Sequence, residues 1–261
     1  MNSRSTQALL IIDYQIGLAQ LVRDYGTNDF RNNMLAHAAL DKTFNLPVVM
    51  ATLSDESPSG QMLKEILDMY PNTALIRPQG EVNAWDSPDF RAAVEATSRK
   101  QMIIGGIVTE VCTTFLALSL VDEGYEVYAN AEGSGTFDKR LADDANRRME
   151  AAGVTLMGWW AILGDLFRDW RNVPGLPELL PTIDKYVACF LSFCFSFSLH
   201  LHEYQLSDER YLFAYGLAAR HPGTAIVDGT LVEVQREFTT NSGTALGERL
   251  PRAVLIYVRS S

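Results

Sequence analysis

Apolar residues run without a break from Ala8 to Ile12 and stop at Asp13. A run this short and this uniform reads as a strand buried on both faces of a parallel sheet, with the aspartate delivered at its carboxyl end. Gln101 to Ile107 has the same character and predicts a central strand. Between the two, the pattern predicts a helix from about Asp29 to Phe44, a turn at Asn45-Leu46-Pro47, a strand from Val48 to Thr52 and a loop from Ser54 to Gly60. Leu63, Ile66, Leu67 and Tyr70 recur at helical spacing, which makes Gln61 to Tyr70 an amphipathic helix. A short strand around Ala74 to Ile76 ends at Arg77-Pro78, where proline pushes the preceding residue toward extended backbone. Ser87-Pro88-Asp89 opens a further helix with proline in its first turn. Beyond Ile107 come a helix from Thr109 to Gly124, a strand from Glu126 to Ala129 and a helix from Lys139 to Ala152. A strand from Val154 to Met157 and a helix from Trp160 to Trp170 complete the series.

This alternation predicts an α/β protein, a Rossmann-like three-layer α/β/α fold with a mainly parallel central sheet. Such sheets bind ligands beyond the carboxyl ends of their strands. Asp13, Arg77, Cys112 and Glu132 all fall at or just past predicted strand ends, so they are expected to share one site.

The character changes after Asn172. Pro174, Pro177 and Pro181 punctuate a linker, and Leu191, Phe193, Phe195, Phe197 and Leu199 then alternate with small polar residues as in a strand with one apolar face. That stretch is shorter than the roughly 20 apolar residues a membrane span needs. A helix from Asp208 to Arg220 and two strands, Leu231 to Phe238 and Ala253 to Val258, are predicted beyond it. The expected division is a main domain over residues 1–175 and a C-terminal extension over 176–261.

Charge narrows the partners. With 22 basic and 32 acidic residues the chain carries −10, the wrong sign for nucleic acid or an anionic membrane surface. The polar start from Met1 to Gln7 has none of the features of a secretory leader, so a cytoplasmic location is expected, where Cys112, Cys189 and Cys194 stay reduced. No zinc-binding spacing is present. The glycine-rich phosphate loops of nucleotide-binding folds are absent after the first strand, and Gly133-Ser134-Gly135 alone is a weak match.

In Gly105-Gly106-Ile107-Val108-Thr109-Glu110-Val111-Cys112 a buried strand turns sharply into a helix and places a cysteine near its start. Helix N-termini favour the thiolate, which would make Cys112 a nucleophile. On the residues alone, the commoner reading of such a cysteine is a small buried apolar side chain.

Several segments together resemble a known family. They are Leu10-Ile11-Ile12-Asp13-Tyr14-Gln15, Ile76-Arg77-Pro78 with Asn83-Ala84-Trp85, and Gly106-Ile107-Val108-Thr109-Glu110-Val111-Cys112. Glu123-Gly124-Tyr125-Glu126-Val127, Gly135-Thr136-Phe137 and Phe167-Arg168-Asp169-Trp170-Arg171-Asn172 add to them. The chain resembles the isochorismatase-like cysteine hydrolases over about residues 6–175, and among them the YcaC-type members most. The resemblance implies a triad of Asp13 as general base, Arg77 as the permanently cationic member and Cys112 as nucleophile. It further implies a cis peptide at Val108-Thr109, an oxyanion hole formed by the N–H groups of Val108 and Cys112, and a substrate pocket that includes Asn83, Trp85 and Phe115. The implied chemistry is hydrolysis of a small amide, ureide or related ester through a thioester, without cofactor or metal, in a homo-oligomer. The loop from Ser54 to Gly60 lacks the histidines with which the nicotinamidase branch binds its metal, which argues against nicotinamide as substrate. The alternative is a non-catalytic relative that keeps the fold as a scaffold or binding subunit. Glu132 stands where the family usually has aspartate.

Overall fold

A computed structural model describes residues 6–53, 57–169, 172, 176–186, 223–227 and 230–234. The chain divides into two compact units, Met1–Thr182 and Ile183–Ser261.

The first unit is built on a six-stranded sheet of order β3-β2-β1-β4-β5-β6 in which every neighbouring pair is parallel. The strands are β1 (Gln7–Ile12), β2 (Val48–Ala51), β3 (Leu75–Ile76), β4 (Gln101–Gly106), β5 (Glu126–Asn130) and β6 (Thr155–Met157). The central pair, β1 and β4, is buried at every position, which is why both read as unbroken apolar runs. Strand order reverses between β1 and β4, and in a doubly wound sheet that reversal opens a crevice at the carboxyl edge.

Helices cover both faces. Ala8, Leu10, Ile12, Met102, Ile104, Val127 and Ala129 pack with Phe90 and Val94 of α5 (Pro88–Ala96), Leu116 and Leu120 of α6 (Thr114–Asp122) and Met149 of α7 (Lys139–Ala151). The helix starts follow local chemistry. Ser87 accepts from the N–H of Phe90 ahead of Pro88, and Asp138 accepts from the N–H of Arg140. The remaining helices of this unit are α1 (Ile16–Ala19), α2 (Thr27–Ala38), α3 (Leu40–Phe44), α4 (Lys64–Met69) and α8 (Trp159–Phe167), with the 3₁₀ turn Ala84–Asp86 ahead of α5. The helix expected from Asp29 to Phe44 is thus two helices, and left-handed Asn45 (φ 52°) ends the second.

Gly105 and Gly106 let the strand and its supports approach closely. A Cβ on Gly105 would lie 2.6 Å from the Tyr14 hydroxyl and 3.0 Å from the His37 ring, and one on Gly106 would lie 2.9 Å from Ile12 Cβ. Gly105→Ala is therefore expected to destabilise the protein by about 1–3 kcal/mol, measured by urea unfolding, because the overlap falls on a fully buried ring pair.

Two differences from the expected series appear in the later part of the chain. Pro177 and Pro181, read as linker, lie in α9 (Leu176–Tyr186), with Pro181 inside the helix. Leu179, Ile183 and Tyr186 are buried at helical spacing, and that burial outweighs the backbone hydrogen bond Pro181 cannot make. Leu231 lies in β8 (Thr230–Val234), which pairs antiparallel with β7 (Gly223–Val227), a strand absent from the expected series. The overlooked signal was Asp228-Gly229, the dipeptide that favours a two-residue hairpin connection. The alternating segment 189–199, the helix 208–220 and the strand 253–258 lie outside the described residues. Among the described residues no helix is long and apolar enough to cross a membrane.

Candidate active site

The site is assembled where β1 and β4 end. Asp13 follows Ile12 in left-handed backbone (φ 54°), a conformation that aspartate tolerates better than bulkier residues. Its N–H donates to the Ala51 carbonyl at 2.9 Å, its carbonyl accepts from the N–H of Gln15 at 2.7 Å, and the residue is buried.

On the other side of the reversal, β4 stops at Gly106 and the chain enters a π turn, Thr109–Thr113, before α6. The Val108 carbonyl accepts from the N–H groups of Val111 (3.2 Å) and Thr113 (3.3 Å), while the Thr109 N–H turns outward to the Gly135 carbonyl (3.1 Å). Thr114 Oγ1 closes the turn by donating to the Thr109 carbonyl at 2.6 Å. Wider i→i+5 bonding leaves the earliest N–H groups of the turn without a carbonyl in their own helix, and such turns recur at functional sites. The N–H groups of Val108 and Cys112 are directed at the Cys112 sulfur.

The thiol of Cys112 donates to the Asp13 carboxylate, so two residues far apart in sequence meet in a buried pair. Burial pushes the Asp13 carboxyl up to about 6, opposed by the thiol and by the Leu53 N–H that donates to it. Burial also pushes the Cys112 thiol well above the ordinary range, and the negative charge of Asp13 adds to this. The expected lowering at a helix start is overturned. The N–H groups of Val108 and Cys112 do favour the thiolate, but loss of water and an adjacent carboxylate outweigh them. At rest the pair is a neutral thiol bonded to a carboxylate.

The cis peptide lies at Ile107-Val108, one residue before the expected Val108-Thr109. The bond at Val108-Thr109 has its carbonyl turned into the π turn and its N–H turned out of it toward Gly135. Oxygen and hydrogen on opposite sides of one amide is the trans arrangement.

The other expected residues stand as follows. Arg77 comes just after β3, which β2 separates from β1; it is exposed, and its guanidinium donates to the Leu75 carbonyl at 3.3 Å. Of the expected triad, Asp13 and Cys112 are in contact with one another. Asn83 accepts from the Trp85 N–H (3.1 Å) and donates to Ser119 Oγ (2.9 Å), tying the 3₁₀ turn to α6. Trp85 is buried in the same cluster as Cys112 and packs edge-on against Tyr125. Phe115 is half-buried, with the Arg148 guanidinium 5.6 Å from its ring centre. Glu132 accepts from the Trp159 N–H at 2.6 Å and so caps α8.

Behind the nucleophile turn lies a polar network that the hydrophobic pattern did not show. His37, fully buried, faces the Leu10 carbonyl with Nε2 (3.1 Å) and Asn130 Nδ2 with Nδ1 (3.2 Å). Asn130 Oδ1 accepts from the Gly133 N–H at 3.1 Å, and the Gly133 carbonyl accepts from the Tyr14 hydroxyl. Donation of the amide to Nδ1 requires a neutral ring protonated on Nε2, and burial holds His37 down at about 4. This network carries the segment that leads to Gly135, the acceptor for Thr109. Among the described residues no three of His, Cys, Asp and Glu gather closely enough to hold a metal ion.

Comparison with known proteins places the chain among relatives. Residues 7–160 match the isochorismatase domain. The chain is 43% identical over 177 residues to the Escherichia coli K12 protein named "probable hydrolase YcaC", a match covering 67% of this chain and 85% of that protein. The solved structure of YcaC from Pseudomonas aeruginosa, with hexane-2,5-diol and covalent acrylamide, superposes with a TM-score of 0.72 at 38% identity, over 75% of this chain and 96% of that one. The E. coli YcaC structure, described as an octameric hydrolase of unknown specificity, gives a TM-score of 0.72 at 38% identity over 76% and 96% of the two chains.

Proposed function

The chain belongs to the isochorismatase family, and from that premise we propose that it is a cysteine-dependent hydrolase of a small amide, ureide or related ester. The observation that carries this reading is the buried hydrogen bond from the Cys112 thiol to the Asp13 carboxylate.

In the proposed cycle Asp13 takes the thiol proton as the sulfur bonds to the substrate carbonyl carbon, whose oxygen becomes an oxyanion. The N–H groups of Val108 and Cys112, which face the sulfur at rest, lie beside that oxygen and receive it. Collapse breaks the C–N bond, and the proton on Asp13 leaves with the amine. Water then attacks the thioester, gives a proton to Asp13, and the acid departs as that proton returns to the sulfur. None of these steps calls on a metal or a cofactor. Arg77, just after β3, supplies a guanidinium at the rim, whose planar set of donors suits it to hold a carboxylate or a developing charge. Asn83, Trp85 and Phe115 shape the pocket wall through the turn and helix they hold. The octameric assembly described for the E. coli relative supports a homo-oligomer for this chain.

The covalent acrylamide of the Pseudomonas relative supports a reactive nucleophile, because acrylamide captures nucleophilic sulfur. Incubation of this protein with acrylamide, followed by peptide mass mapping, is expected to place an adduct on Cys112 and none at that position in Cys112→Ser. An unmodified Cys112 in fully reacted protein would overturn the assignment.

A further inference from the structure

Gln15 is fully buried two residues beyond Asp13, and every polar atom of its side chain is engaged. Oε1 accepts from the Leu53 N–H at 3.1 Å, and Nε2 donates to the carbonyls of Gly60 and Leu53. The backbone around it is stitched to the same segment, with Ile16 N–H donating to the Gln61 carbonyl and Leu63 N–H to the Tyr14 carbonyl, both at 2.9 Å. The Leu53 N–H that Gln15 holds is also the one that donates to the Asp13 carboxylate. One donor therefore lies between a neutral amide oxygen and the proposed general base.

We propose that Gln15 is a positioning residue for Asp13: its side chain fixes Leu53 so that the Leu53 N–H stays on the carboxylate that takes the Cys112 proton. The inference rests on the hydrolase reading above. A buried glutamine used only to anchor a loop would need its bonds to Gly60 and to the Leu53 carbonyl; the bond from Oε1 to the Leu53 N–H sets the donor facing Asp13. Among the described residues, three groups bear on the charge of Asp13. Cys112 faces it from the π turn, the Leu53 N–H from the β2 side, and Arg77 is the exposed cation after β3. With Gln15 removed, Leu53 moves away, the carboxylate loses a donor, and it accepts a proton more readily.

The test follows the rate of Cys112 alkylation by acrylamide as a function of pH, read by peptide mass, in wild type, Gln15→Met, Asp13→Asn and the double variant. Wild type should show a rise through the Asp13 titration. Gln15→Met should move that rise upward by about 0.5–1 pH unit, as loss of one hydrogen bond to a carboxylate implies. In the Asp13→Asn background it should change the rate less than twofold. Gln15→Asn, which keeps the amide but is one methylene shorter, should shift the rise the same way by a smaller amount, and it serves if the methionine variant does not fold. An unmoved or lowered midpoint in the folded variants would overturn the role of Gln15, because a freed Leu53 N–H would then be serving Asp13 unaided. Wild-type rates in Asp13→Asn would instead overturn the acid–thiol reading itself.

Discussion

Asp13→Asn is expected to slow acrylamide alkylation of Cys112 at pH 7.5 by about 10²–10⁴-fold, the usual contribution of a positioned general base, and at the same time to make the protein more stable. Both effects have one origin. Burial raises the Asp13 carboxyl from 3.8 to about 6, so above pH 6 the fold holds a charge it would shed if it could. A group whose folded value is raised contributes stability that is fully present below 3.8 and lost as pH rises through 6. That interval corresponds to about 3 kcal/mol absent at pH 7.5. Asparagine is the right replacement because it accepts the left-handed backbone at this position and keeps an oxygen for the Leu53 N–H. Part of the gain is offset by loss of the charged acceptor for the thiol, leaving about 1–3 kcal/mol and a rise of several degrees in thermal midpoint. The rise in labelling rate through pH 6 should also vanish from the variant. Asp13→Asn protein that labels at the wild-type rate would sink the proposed chemistry, and a lower melting point would sink the account of the buried charge.

Acid should bring the two proteins back together. His37 is held at about 4 against an ordinary 6.5, so its neutral form contributes stability that is complete above 6.5 and lost as pH falls to 4. That loss is about 3 kcal/mol, close in size and opposite in sign to the gain from Asp13 over nearly the same interval. In wild type the two cancel, and unfolding free energies at pH 7.5 and 4.5 should differ little on their account. In Asp13→Asn the compensation is gone. Urea unfolding should show the variant ahead of wild type at pH 7.5, with that advantage shrinking by about 2–3 kcal/mol at pH 4.5. Parallel pH curves for the two proteins would remove the coupling.

The parts of the fold legible from sequence were those written in continuous burial. β1 and β4 announce themselves because both faces of a central parallel strand are covered, and Asp13 and Cys112 follow because they stand where those strands end. Ser87-Pro88 marked its helix through capping chemistry that is local to three residues. What stayed hidden depends on contacts between distant segments. The direction of the Cys112 shift is decided by Asp13 and by lost water, neither of which a position at a helix start reveals. The π turn comes from Val108 accepting two N–H groups, a geometry with no sequence period of its own. The placing of Arg77 after β3 was legible, but where its guanidinium points was not. Gln15 stands in a legible segment, but its bonds to Leu53 and Gly60 join residues some forty positions apart, which no local pattern encodes. The β7–β8 pair carries a local signal of its own, the Asp228-Gly229 dipeptide between two apolar runs.

A sulfur kept protonated until it is used has an effect on how long the catalyst lasts. Peroxides and stray electrophiles attack the anion far faster than the thiol, and the products beyond sulfenic acid are not readily undone. Under the proposed chemistry the proton that Cys112 keeps at rest slows its oxidation by peroxide, while an electrophile that enters the site as acrylamide does still meets a sulfur that Asp13 deprotonates as the bond forms.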